Sequence, residues 1–215
     1  MNEVHEPRWL RVAAFGSVLT IAGFGAAGLV LADFGWYTPA LVLVLRLAAS
    51  VGLLWLGSPL MRAGREPTAS SRAGARFAAA ISVLYGFWNG VNASQHVQIN
   101  RDGDGGIYLN AGKWIATHGT LEVHPYVGAF TRGGRVIATS TGMSRQGDHL
   151  EFGVSHLLSA ILAEARNLGG DHLMFLAVPI LSGLSLLVFY LLAHKLLHHP
   201  FTALAAVVSL GRSMR

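Results

Sequence analysis

Two carboxylates, Asp102 and Asp104, stand two residues apart among glycines, the one place in the chain where acids are grouped this way. The surrounding segment, residues 100–123, reads NRDGDGGIYLNAGKWIATHGTLEV, a polar and glycine-broken entry followed by a short amphipathic pattern. Three chemistries fit such a pair. Asp104 with Gly105 and Gly106 can cap the helix that follows, because a short carboxylate satisfies free amide groups at a helix start. Asn100, Asp102 and Asp104 followed by Gly105 match the opening of a calcium loop, but Ala111 stands where a bidentate Glu closes such loops. In the third, a carboxylate at a helix start beside an outer-leaflet groove takes the proton of an acceptor hydroxyl while a lipid phosphate leaves from the opposite face of a sugar. Lys113, Arg101 or Arg145 would then stabilise the departing phosphate.

A membrane frames these residues. Of 215 residues, 52% are hydrophobic and 13% charged, and the mean hydropathy is +0.46, far from the roughly one-quarter charged norm of soluble domains. The absence of cysteine excludes a disulfide framework and a thiolate metal site. The net charge of +5 comes from arginines near the ends of apolar runs, which points to topology and anionic-lipid contact and not to nucleic acid.

Residues 12–32 form an uncharged apolar run that reaches the roughly 20 helical residues needed to cross a hydrocarbon core. A cleaved signal peptide is the competing reading, with Arg8 and Arg11 ahead of the run, but such apolar cores are usually only about 7–15 residues long. Residues 39–56 read as a second span, entered at Trp36 and Tyr37. Arg46 lies inside it at an insertion cost of about 2.5–3.5 kcal/mol, so it requires water, a structural pair or a lipid phosphate. Residues 61–76, with Arg62, Arg65, Arg72 and Arg76, read as a cytoplasmic loop, and 77–92 as a third span. The bias of Lys and Arg in the short loops places the amino terminus inside and residues 93–171 outside. Residues 173–193 read as a fourth span with a kink at Pro179, and 201–210 as the start of a fifth in a chain expected to continue.

Two amphipathic helices are expected in the outer segment. The first, about 104–118, puts Ile107, Ala111, Trp114 and Ile115 on one face and stops at His118-Gly119. The second, about 151–168, has an apolar side from Val154 to Leu168, ends at Gly169-Gly170 and is expected to lie along the outer membrane surface. Turns fall at 132–134 and 146–148, with a short strand near 135–139. His118 and His124 flank Glu122, and His149 and His156 flank Glu151, so a divalent metal between the two helices is one reading and interfacial histidines the other.

The phrase Asp104-Gly-Gly-Ile-Tyr-Leu-Asn-Ala-Gly-Lys-Trp-Ile-Ala-Thr-His-Gly-Thr-Leu, placed after an apolar segment, resembles the first outer loop of the GT-C superfamily. These are polytopic glycosyltransferases that use polyprenyl-phosphate sugars, the protein mannosyltransferases and aminoarabinose transferases among them. The resemblance covers about residues 77–206 and implies that Asp104 takes the place of the family's loop aspartate, Gly106 of its glycine and Tyr108 of its tyrosine. Gly105 departs from the family's usual Glu or Pro, and Asp102 is an additional acid that competes for the same role. The stretch 150–158 resembles the start of the family's next outer helix, which implies that Glu151 and His156 return to the same cavity.

The expectation is therefore an all-α, polytopic transmembrane bundle with a long outer loop carrying two amphipathic helices. It divides into residues 1–92 with three spans, the outer loop 93–171, and 172–215 with the fourth span and the start of a fifth. Seated in the plasma membrane, it would move a sugar from a polyprenyl-phosphate donor to an envelope acceptor on the outer face. Asp104 or Asp102 would act as base, and Lys113, Tyr108, Arg101, Arg145, Glu151 and His156 would contact substrate. A non-enzymatic membrane protein, a transporter or lipid-binding subunit, is the alternative.

Overall fold

A computed structural model describes residues 6–61, 68–95, 104–123, 131–132, 135–136, 143–146 and 149–213. The described chain is mostly helical, in line with an all-α fold. Helix α1 (Arg8–Asp33) contains a π turn at Val12–Gly16 and is followed by α2 (Pro39–Leu56), the short α3 (Ser58–Met61), α4 (Ala69–Gln95) and α5 (Asp104–His118). Two small antiparallel hairpins come next, β1 (Thr131–Arg132) with β2 (Arg135–Val136) and β3 (Met143–Gln146) with β4 (His149–Phe152), and then α6 (His156–Leu197) and α7 (Pro200–Ser213). Among the described residues, two helices, Arg8–Asp33 and His156–Leu197, are long and apolar enough to cross a membrane. Ala40–Leu56 and Pro200–Arg212 are apolar but shorter.

Two expectations need correction. Helix α4 begins at Ala69, inside the expected loop 61–76, because Thr68 caps it: the Ser71 amide donates to Thr68 Oγ1 at 3.2 Å. Arg72 and Arg76 are thus helical, and with Asn89, Asn92 and Gln95 they keep α4 out of the set of helices apolar enough to cross. Glu151 lies in β4 and not in a helix, since Ser144 pairs with Glu151 across the second hairpin and α6 starts only at His156. The break in α6 falls where the sequence places a helix end, at Gly169 and Gly170, the latter at φ 68°, and Pro179 sits within the helix.

The chain folds as two compact units. The first comprises Met1–Ala22, Ser50–His96 and Phe175–Arg215. Its core joins Leu10 and Ala14 of α1, Ala75 and Ala78 of α4, Leu186 and Tyr190 of α6, and Ala203 and Val207 of α7. Small residues let α4 and α6 approach backbone to backbone: a Cβ on Gly183 would lie 2.8 Å from the Ser82 carbonyl oxygen, and one on Gly86 3.2 Å from that of Pro179. Carbonyls inside helices cannot swing aside, so Gly183→Ala is expected to cost about 1–3 kcal/mol by overpacking. A thermal midpoint equal to wild type would contradict this contact.

The second unit comprises Gly23–Ala49 and Val97–Met174. Its core gathers Leu31, Ala32, Tyr37, Val42, Ile115, Leu121 and Ala163. The first half of α6 packs on α1 at Gly25, where a Cβ would meet Ile161 at 2.6 Å, and on α5 at Gly112, where it would meet Leu162 at 2.8 Å. Leu162 is thereby buried among protein helices, while Leu157 and Leu168 of the expected apolar side stay exposed. Glycines on both neighbours are what make the close approach possible.

Helix α2 buries Val42, Arg46 and Ser50, four residues apart on one stripe, while Val44 and Val51 are each 64% exposed. A water-facing helix shows the opposite pattern.

Candidate functional site

Helix α5 has the expected bounds, and Asp104 is its first residue. Arg101 and Asp102 lie outside the described residues, as do the side chains of Asp104, Arg145 and Glu151. Asp104 and Tyr108 are one helical turn apart and share a face, and Tyr108 is half-buried. Lys113 is exposed, about half a turn out of phase with Asp104 and about 14 Å further along the axis. The helix alone does not bring Lys113 to the aspartate.

The far end of α5 is pinned. Gly119 takes φ 76°, as the expected helix stop requires, and its carbonyl accepts from the Tyr37 amide at 3.3 Å. A Cβ there would lie 3.0 Å from the Tyr37 carbonyl oxygen. Gly119→Ala is expected to cost about 1–2 kcal/mol through left-handed strain, read as a lower unfolding midpoint. An unchanged midpoint would refute the pinning role. Downstream, the Leu121 amide donates to the Ala32 carbonyl at 3.3 Å, and Val123 bridges to Leu150 of β4. These bonds fix the aspartate-bearing helix relative to the linker after α1 and the second hairpin.

The histidines take local partners. His118 stacks on Trp114 with ring centroids 3.5 Å apart and bonds to the Thr117 hydroxyl, while Trp114 Nε1 donates to the Glu122 carbonyl at 3.1 Å. His156 Nε2 lies 3.0 Å from the Phe152 carbonyl and donates to it, across the junction of β4 and α6. His149 Nε2 stands 4.0 Å from Glu122 Oε1. Among the described residues no group of three or more His, Asp or Glu side chains is placed to hold a metal ion, and His124 falls outside them.

A polar centre that sequence reading did not assemble lies in the same unit. Arg46 Nη1 of α2 donates to Glu164 Oε2 of α6 at 2.5 Å, and both side chains are buried. The Arg46 guanidinium also sits 5.5 Å from the Phe24 ring centroid, within cation–π range. Asn167 Nδ2 donates to the Tyr37 hydroxyl at 2.9 Å. Tyr37 is in the linker between α1 and α2, where burial, reinforced by the neighbouring Glu164 carboxylate, pushes its hydroxyl well above the ordinary range and keeps it protonated. Gly28 leaves room for the carboxylate, since a Cβ there would come within 3.0 Å of Glu164 Oε1. The signal for Glu164 was a lone acid on the Leu157–Ile161–Glu164 face of an apolar helix, opposite in sign to a lone arginine inside an apolar span.

In the first unit the Glu6 carboxylate bonds to His194 Nδ1 and, at 3.5 Å, accepts from the Ser71 hydroxyl, and all three residues are buried. The carboxylate stands between serine and histidine. Nucleophilic activation needs the imidazole in that place, so this cluster ties elements together and does not form a hydrolytic triad.

No protein family, curated protein or solved structure matches this chain.

Proposed function

We propose that the protein is a multi-pass membrane glycosyltransferase of the GT-C kind, this chain corresponding to the amino-terminal part of such enzymes. With the amino terminus in the cytoplasm and residues 93–171 outside, it transfers a sugar from a polyprenyl-phosphate donor to an envelope acceptor. Asp104 is the base that takes the acceptor proton, with Asp102 as its competitor. The observation that carries the reading is that α5 opens at Asp104 and is anchored at its other end by Gly119, Leu121 and α6. Such anchoring fixes the helix that carries the aspartate, and proton transfer requires a positioned base. A helix start also favours the ionised carboxylate needed to accept a proton. Tyr108, one turn on, would line the acceptor side, and Arg101, Lys113, Arg145, Glu151 and His156 are the candidates for phosphate and sugar contacts. The outward leucines and valines of α2 support a lipid environment, because a polar stripe turned inward and an apolar surface turned outward is the arrangement a bilayer favours.

One observation favours the alternative, a non-enzymatic transporter or lipid-binding subunit. Arg46 and Glu164, buried charges carried on apolar helices, neutralise each other through Nη1 and Oε2 without a substrate. The two readings separate in one assay. Membranes carrying the full-length protein should release polyprenyl phosphate from a labelled polyprenyl-phosphate sugar when an acceptor fraction is supplied. No release across a panel of sugar donors would exclude the transferase.

A further inference from the structure

Within the first unit, Trp9 and Ala13 of α1, Gly86 and Gly90 of α4, and Pro179 and Leu187 of α6 line an apolar groove of about 740 Å³. Its flank is open: Val83 and Phe87, which also line it, are each 70% exposed. Open apolar surface on this scale marks a membrane or partner contact. Along α4 the lining runs from Ala79 to Val91, about 18 Å at 1.5 Å per residue. That is a little over half of a hydrocarbon core about 30 Å thick, the reach of one acyl chain in one leaflet.

One end of the groove is cationic. Arg76 precedes the lining residues Ala79 and Val83 by three and seven positions, so it continues their face of α4. Lys195 follows the lining residue Leu184 by eleven positions, about three turns, on the same face of α6. Both are exposed, and exposed Arg8 adjoins Trp9. Inside the groove Ser82 is buried, and its Oγ has no hydrogen-bond partner. A buried hydroxyl without an acceptor is unfavourable until a ligand supplies one.

We propose that this groove holds one acyl chain of an anionic glycerophospholipid of the cytoplasmic leaflet. Its phosphate meets Arg76 and Lys195, and an acyl ester carbonyl accepts from Ser82. A polyprenyl phosphate has no acyl ester carbonyl to offer the serine. A second copy of this chain, with its net charge of +5, would bring positive charge to a positive rim. The groove lies in the first unit and Asp104 in the second, and the test below reads lipid contact without the transfer reaction.

The test uses the full-length protein with Trp9 as sole tryptophan, reconstituted in vesicles with a minor fraction of dibrominated phosphatidylglycerol or dibrominated phosphatidylcholine. Bromine quenches a tryptophan in contact with the chain. Trp9 is expected to be quenched preferentially by the anionic lipid, with a preference of about fivefold per cation that weakens as salt rises. The exposed-site double variant Arg76→Gln/Lys195→Gln should remove the preference while leaving the helical content unchanged. Equal quenching by both lipids would reduce the groove to ordinary annular contact and overturn the proposal. So would an anionic preference that survives neutralisation of both residues, displacement of the brominated lipid by polyprenyl phosphate, or protection of Trp9 from both lipids in a concentration-dependent dimer.

Discussion

Glu164→Gln is expected to destabilise the protein by about 3–5 kcal/mol, the cost of leaving a buried arginine without its counter-charge. Arg46 and Glu164 are the partners concerned, 2.5 Å apart and both buried. Glutamine keeps the shape of the side chain and removes only the charge, so the loss reports the uncompensated guanidinium and not a cavity. The double replacement Arg46→Met/Glu164→Leu should recover most of the loss, because two apolar groups of similar volume need no desolvation of charge. A denaturation cycle over wild type, Arg46→Met, Glu164→Leu and the double variant would read this as a coupling term between the two positions. A Glu164→Gln protein as stable as wild type would mean that water reaches the arginine, and the closed polar centre would not stand.

Asp104→Asn should lower transfer about 10²- to 10⁴-fold, the usual contribution of a positioned general base. Asparagine retains the size and helix-capping capacity of aspartate but cannot take a proton. The expected signature is therefore a fall in turnover with insertion and thermal midpoint unchanged. Asp102→Asn resolves the competition between the two acids: if it abolishes transfer and Asp104→Asn does not, the base is Asp102 and Asp104 only begins α5. Retained transfer in both single variants and in the double variant would remove catalysis from this segment. The aspartates would then return to the role of helix cap and polar turn.

Much of the local structure was legible because its causes are local. The periodicity of Ile107, Ala111 and Ile115, followed by a glycine able to take φ 76°, sets both ends of α5 at the expected places. Pro39 and Gly57 bracket α2 in the same way, and Gly169-Gly170 marks the break in α6. The two hairpin pairings, Arg132 with Arg135 and Gln146 with His149, flank the positions where turns are expected. The start of α4 was missed because four arginines suggested a loop, whereas Thr68 and the alanines after it begin a helix whatever the charges on its surface. The strand at Glu151 was missed because apolar spacing in 154–168 was extended backwards through Gly153, which β4 and the start of α6 leave between them.

The candidate site divides along the same line. Which residues have the chemistry, an aspartate pair opening a helix and an arginine stranded in an apolar span, is fixed by residue types and short-range spacing. Which of them meet is not: Arg46 finds Glu164 across 118 positions, and Glu6 finds His194 across 188. The Arg46–Glu164 encounter depends on glycines at Gly25, Gly28 and Gly112, which let the helices of the second unit close to contact distance. Periodicity repeats every 3.6 residues and carries no information about a partner more than a hundred residues away. The sequence determined the helices, their ends and the candidate chemistry, while the tertiary packing decided which charges are paired and where an open groove remains.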